Sequence, residues 1–171
     1  FNVANATKKL AAKPQIAVGF RASILLVPAN DFDDLGLEGF VCKASGSNVP
    51  VGSAVLSGGN ASKRGALYAV NNFLESVGVQ FLAQDTTILP PALPTKLPAL
   101  DKKTTPTLEY RQQFEWACNQ ATNASVDLNV HLGLNKDSLG VGGTNLDPAH
   151  GGAVVYAPNP GFVHTSFALV P

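Results

Sequence analysis

Apolar and polar positions along residues 1–104 switch between the period of a strand and the period of a helix. Residues 4–12, rich in Ala and Lys and stopped by Pro14, predict a short helix. Residues 23–27 (Ser-Ile-Leu-Leu-Val), closed by Pro28, predict a buried strand, and residues 30–34 a polar loop. Residues 39–44 predict a second strand. Gly46, Ser47 and Asn48 then supply turn chemistry, and residues 49–56 the returning arm of a hairpin. The clearest element starts at Ser62. Ala66, Leu67, Val70, Phe73, Leu74 and Val77 recur at three- and four-residue spacing, the signature of one helical face. Ser62 can cap its start and Gly78 stands where a left-handed C-cap belongs. Residues 79–82 follow at once as a strand.

Pro90, Pro91, Pro94, Pro98 and Pro106 then interrupt any periodicity, so residues 88–106 read as a stiff, extended connector. This divides the chain into domains of residues 1–104 and 105–171. Beyond the connector Leu108, Tyr110, Gln112, Phe114 and Trp116 alternate as in a strand. Val126, Leu128, Val130, Leu132 and Leu134 also alternate strictly, which again predicts a strand. Residues 139–152 form a Gly-rich loop, and residues 153–156 and 162–164 are short strand candidates.

Composition narrows the function classes. The chain has 171 residues, 45% of them hydrophobic, but only 14% charged and with zero formal net charge. Nothing in it draws the chain to nucleic acid or to an anionic membrane. The longest strongly apolar run, residues 24–27, falls far short of the ~20 residues that span a bilayer. The chain begins at Phe1 and contains no Met. We read this as removal of a secretory signal, and expect a secreted or cell-surface protein. Sequons at Asn5, Asn60 and Asn123 agree with export, and N-glycans would offset a surface poor in charge. Cys42 and Cys118 are the only cysteines. They are disulfide candidates, with each other or with chain outside this sequence; two buried thiols are the equal alternative. Two cysteines with no His at ligand spacing make no metal site, so neither metal nor cofactor is expected.

Three segments carry a family resemblance. SGGNASKRGALYAVNNFLESVGVQFL (residues 57–82) is similar to the Gly-rich turn, Arg-Gly, helix and strand of the small α/β domain that precedes the barrel in β-N-acetylhexosaminidases and α-glucuronidases. LEYRQQFEW (residues 108–116) resembles the first barrel strand of those glycoside hydrolases. GFVHTSFALVP (residues 161–171) resembles a segment of their uncharacterised extracellular relatives. The resemblance implies a small domain with a mainly antiparallel sheet and helices on one face, followed by the opening of a (β/α)8 barrel. It also prefers a helix near residues 126–134, against the alternation. The 105–171 segment is too short for a barrel, which needs ~200 residues or more. Arg111 falls where the hexosaminidases place an Arg that hydrogen-bonds hydroxyls of the terminal sugar. Gln112 replaces the family's following Gly, and Trp116 its Asp.

No catalytic residue is assigned, because the family's paired carboxylates lie further along a barrel than this sequence reaches. Arg111, His164 and Trp116 are the substrate-binding candidates: an Arg with five fixed donors, a His at an expected strand end, and an indole that can stack on a sugar. Each has a structural alternative: Arg111 paired with Glu109 or Glu115, His164 as a satisfied structural group, Trp116 as core. His131 and His150 have no evident partner. The Gly-rich runs lack the Lys-Ser/Thr of a phosphate loop, and no Gly-x-Ser-x-Gly elbow occurs. Two functions remain. One is the front portion of an extracellular, carbohydrate-directed glycoside hydrolase-like glycoprotein, inactive as this chain alone. The other is a non-enzymatic structural glycoprotein that assembles with other chains or copies. A sugar-binding module ranks third. Val154, Val155, Phe162, Val163, Phe167, Leu169 and Val170 make the C-terminal stretch apolar enough to need further chain or other subunits.

Overall fold

Gly19, at φ 84°, breaks the first apolar stretch into two elements of different kind. Before it lies β1 (Ile16–Val18); after it the backbone turns into a single helical turn, α1 (Phe20–Ser23). The computed structural model describes residues 13–46, 48–111, 123–135, 146 and 148–154, with backbone alone at residues 123–126. The helix expected at residues 4–12, the strand candidate at 162–164 and most of that at 108–116 lie outside these residues. Residues 23–27 are not the strand their composition predicts. Ile24 and Val27 donate to Phe20 O and Ser23 O, helical i−4 bonds, so the segment continues the turn. The apolar run is lid rather than sheet: Val27 is buried and Leu26 packs against the core.

By its internal contacts the chain divides into two compact units, residues 1–80 with 87–106, and residues 81–86 with 107–171. The first is built on a four-stranded sheet of order β1-β3-β2-β6, where β2 is Phe40–Ala44, β3 is Ala54–Gly58 and β6 is Leu100–Thr104. β2 runs antiparallel to both β3 and β6, whereas β1 is parallel to β3. The central pair is apolar on both faces: all of β3 and all of β2 except Lys43 are buried. Such a pair needs cover on both sides. On one side lies the helix α2 (Gly65–Ser76), with Tyr68 meeting Phe40 edge-on at 6.5 Å. On the other, Val41, Val55 and Ala17 pack with Val27, Phe32 and Leu35, and Phe20 meets Phe32 edge-on at 5.4 Å. Helical cover is thus not confined to one face, as the family resemblance implied; short turns of the 20–36 segment close the second.

β6 lies inside the stretch that its prolines mark as connector. Its residues, Leu-Asp-Lys-Lys-Thr, are exposed or half-buried, the pattern of an edge strand guarded by charge. α2 ends as expected. Gly78 (φ 98°) donates to Glu75 O and Val79 to Leu74 O, the paired bonds of a Schellman cap, and Val79 is buried beneath it. A two-stranded ribbon follows, β4 (Gln80–Ala83) and β5 (Thr86–Ile88).

In the second unit, Asn123–His131 forms the helix α3. The alternation at residues 126–134 therefore belongs to a helix as far as His131 and to the turn that leaves it, not to a strand. Successive helical residues are set about 100° apart, so alternate apolar positions spread around the axis instead of lining one face. Leu128, Asn129 and Val130 are all buried. The fold is mixed α/β with a mainly antiparallel sheet and few helices; the described residues contain no closed barrel. Among them, too, no helix is long and apolar enough to cross a membrane.

Candidate functional site

Of the three substrate-binding candidates, Arg111 lies within the described residues; His164 and Trp116 lie outside them. Arg111 sits in a dense polar knot. Its backbone N–H donates to Asn135 Oδ1 at 2.7 Å and its carbonyl accepts from the Asn135 N–H at 3.1 Å. Asn135 Nδ2 donates to Glu109 O at 2.6 Å, so one fully buried amide side chain grips the backbone on both sides of Tyr110. The guanidinium is held as well. Nε donates to Gly133 O at 2.7 Å and Nη1 to Leu108 O at 2.6 Å. These two bonds fix the plane of the fork, since the carbonyls come from separate parts of the chain. Of the two carboxylates weighed as its partners, Glu115 lies outside the described residues.

The knot continues across the backbone. Val154 N–H donates to Asn135 O at 2.8 Å, so residues 111, 135 and 154 are bonded side by side in chain order, with α3 between the first two. Gly133, in the left-handed region at φ 74°, turns the chain out of α3 and aims its carbonyl at the guanidinium.

Both histidines without an evident partner in the sequence have one here. His131, the last residue of α3, stacks on Phe81 with ring centroids 3.8 Å apart and planes 20° off parallel. His150 Nε2 lies 2.9 Å from Asp127 Oδ1, pinning the short 3-10 turn Pro148–His150 to α3. Neither pairing has a local signal, because each joins residues more than twenty positions apart.

In the first unit, the Gly-rich turn of residues 57–65 is a packing device. Ser62 Oγ accepts from Gly65 N–H at 2.8 Å and donates to Leu37 O at 3.2 Å, so it holds the first N–H of α2 and ties the helix to the loop before β2, while the N-cap position falls to Arg64 rather than to Ser62. Arg64, 1% exposed in its side chain, lies 3.1 Å from Glu38 in a buried ion pair. Arg64 is the Arg of the Arg-Gly pair in the resemblance, but nothing in the sequence points to Glu38 as its partner. Asn60, one of the three sequons, lies exposed in the turn between β3 and α2; Asn123 opens α3, and Asn5 lies outside the described residues.

Cys42 is a free thiol in mid-β2 with no exposed surface; its candidate partner Cys118 lies outside the described residues. Burial pushes its pKa up to about 11, although the ammonium of Lys102 pulls the other way. Across the sheet, Lys43 lies 2.9 Å from Asp31 and 3.5 Å from Asp101. Burial works against its charge, but the two carboxylates outweigh it and hold its pKa above the ordinary value. Among the described residues no group of three or more His, Cys, Asp or Glu is placed to hold a metal ion. Comparison of the chain with protein-family models, with curated proteins and with solved structures returns no match.

Proposed function

We propose that this chain is the front portion of an extracellular, glycoside hydrolase-like glycoprotein: a small α/β domain followed by the opening of a (β/α)8 barrel, with carbohydrate as its ligand class. One observation supports this reading above the others. The backbone bonds that join Arg111 to Asn135 and Asn135 to Val154, with α3 between the first two, follow the chain order that the opening of a β/α barrel would need. Arg111 stands at its head with its guanidinium plane fixed by Gly133 O and Leu108 O. A fork oriented before a ligand arrives loses less freedom on donating to neighbouring ring hydroxyls. His164, at an expected strand end, and Trp116, by the stacking its indole allows, remain the further binding candidates. Export agrees with Asn60 lying in an exposed turn, where an N-glycan meets no obstacle from the fold.

In this reading the chain binds sugar and does not cleave it. Glycoside hydrolysis ordinarily uses two placed carboxyl groups, and the family's pair is not in this sequence. Incubation of the purified chain with chromogenic N-acetylglucosaminides and glucuronides should release no product. Measurable release that Arg111→Ala abolishes would overturn the reading.

The second reading, a structural glycoprotein that assembles, has its own support. Ile16 and Val18, 57% and 52% exposed, project from the edge strand β1. Exposed apolar groups on a sheet edge favour association. Light scattering separates the two: a clean 17.8 kDa monomer at micromolar concentration counts against assembly.

A further inference from the structure

The stretch between β5 and β6 is open chain. Residues 91–96 are all exposed, Leu93 at 72%, and no residue from 89 to 99 forms a hydrogen bond among the described residues. Pro90, Pro91, Pro94 and Pro98 keep it extended and bar it from helix or sheet. Lys96 is exposed and is the one basic residue between Arg64 and Lys102. Leu97 follows it, so the peptide bond after Lys96 keeps its N–H, and the nearest downstream proline is one position further on.

A protease takes its substrate as an extended strand whose backbone is unpaired, and a Lys-directed enzyme seats that ammonium against a buried carboxylate. Residues 93–98 present that substrate. The other basic side chains nearby do not. Lys102 and Lys103 stand in the β6 ladder opposite Cys42 and Val41, and Lys63 N–H is bonded to Leu37 O at 2.8 Å.

What a cut would leave is set by how the chain crosses itself. Phe81–Thr86, before the connector, belongs to the second unit, where Phe81 stacks on His131. Leu100–Thr104, after it, belongs to the first unit, paired with β2 over five residues. There Asp101 meets Lys43, and Lys102 sits 5.6 Å above the Phe40 ring. We propose that the Lys96–Leu97 peptide is a processing site for a protease of Lys/Arg specificity, and that its hydrolysis yields an interlocked two-chain protein. Water adds across the one amide, leaving a carboxylate on Lys96 and an amine on Leu97. Each fragment then contributes an element to the unit that the other fragment mainly builds.

Brief digestion of the native full chain with trypsin tests this. The expected products include a fragment with Leu97 at its N-terminus, and the two pieces should co-elute with uncut chain on gel filtration and separate only in denaturant. Lys96→Gln should leave the connector whole under the same digestion. Cleavage after Lys63, Lys102 or Lys103 while residues 89–99 stay intact would overturn the site. Elution of the fragments as separate species would overturn the interlock.

Discussion

Replacing Gly65 with alanine should loosen the helix α2 from its sheet. A Cβ there would collide with Gly39 O and would stand 2.6 Å from Ser62 Oγ and 2.7 Å from Gly58 Cα. Two of these three atoms are backbone at or beside β2 and β3, so no side-chain rotation relieves them. Carbon atoms in contact settle at about 3.5–4.0 Å, and α2 would have to retreat by roughly an ångström. Forcing a methyl group into a packed interface costs about 1–3 kcal/mol. Retreat also strains the Gly65 N–H to Ser62 Oγ bond, a further ~1 kcal/mol. Alanine's better helix propensity offsets ~1 kcal/mol at most. The expected net loss is about 2 kcal/mol, read as a lowered urea midpoint by far-UV circular dichroism on the full chain. Ala66→Gly, one position along and half-buried, should lose ~1 kcal/mol or less. A Gly65→Ala chain as stable as the parent, or more stable, would refute the close packing of this turn.

Other predictions concern the buried charges. Arg64→Leu leaves Glu38 with its ion-pair partner removed and should cost about 3–5 kcal/mol in the same unfolding assay, whereas Arg64→Leu combined with Glu38→Gln should recover part of the loss. Cys42 should resist thiol reagents in the folded chain and react once it is unfolded. Its folded pKa, about 11, lies above the ordinary 9.0. The unfolded state therefore gives up its proton first, and the thiol's contribution is full below pH 9 and is lost as pH rises towards 11. A loss of about 2–3 kcal/mol over that window, absent from Cys42→Ala, is expected. Equal pH profiles for the two chains would contradict it.

The parts of the fold legible in the sequence are those with local causes. Gly78 closes α2 because a left-handed terminus needs a particular residue at a particular place, and Ser62, two positions before the N-cap Arg64, still holds the first helical N–H. β2 was readable from its run of apolar residues. The buried face of α2 was legible only at Phe73: the other members of the expected stripe, Ala66, Leu67, Val70, Leu74 and Val77, are half-buried, whereas the helix also buries Gly65, Tyr68, Ala69 and Asn71. The approach of Gly65 to Gly39 and Gly58 sets that rotation, and those contacts join separate stretches of chain. β1, three residues with one side chain inward, is too short for periodicity to register. β6 was hidden by the prolines before it and by its own charge. Of the candidate site, Arg111 was found by resemblance, but Asn135, which grips it, is one polar residue among many in sequence. Only the fold brings it against the backbone of residues 109 and 111.

The carbohydrate reading rests on Arg111, and a sugar titration followed by NMR on the isotope-labelled chain addresses it. Addition of N-acetylglucosamine or glucuronic acid should shift the Arg111 side-chain Nε–H signal and the amides of Gly133, Asn135 and Val154, which share its hydrogen bonds. Arg111→Lys, keeping the charge but losing the fork, should abolish those shifts while the amides of β2 and β3 stay in place. A spectrum in which both sugars leave residues 111, 133, 135 and 154 unmoved at saturating concentration would contradict a carbohydrate-directed site at Arg111.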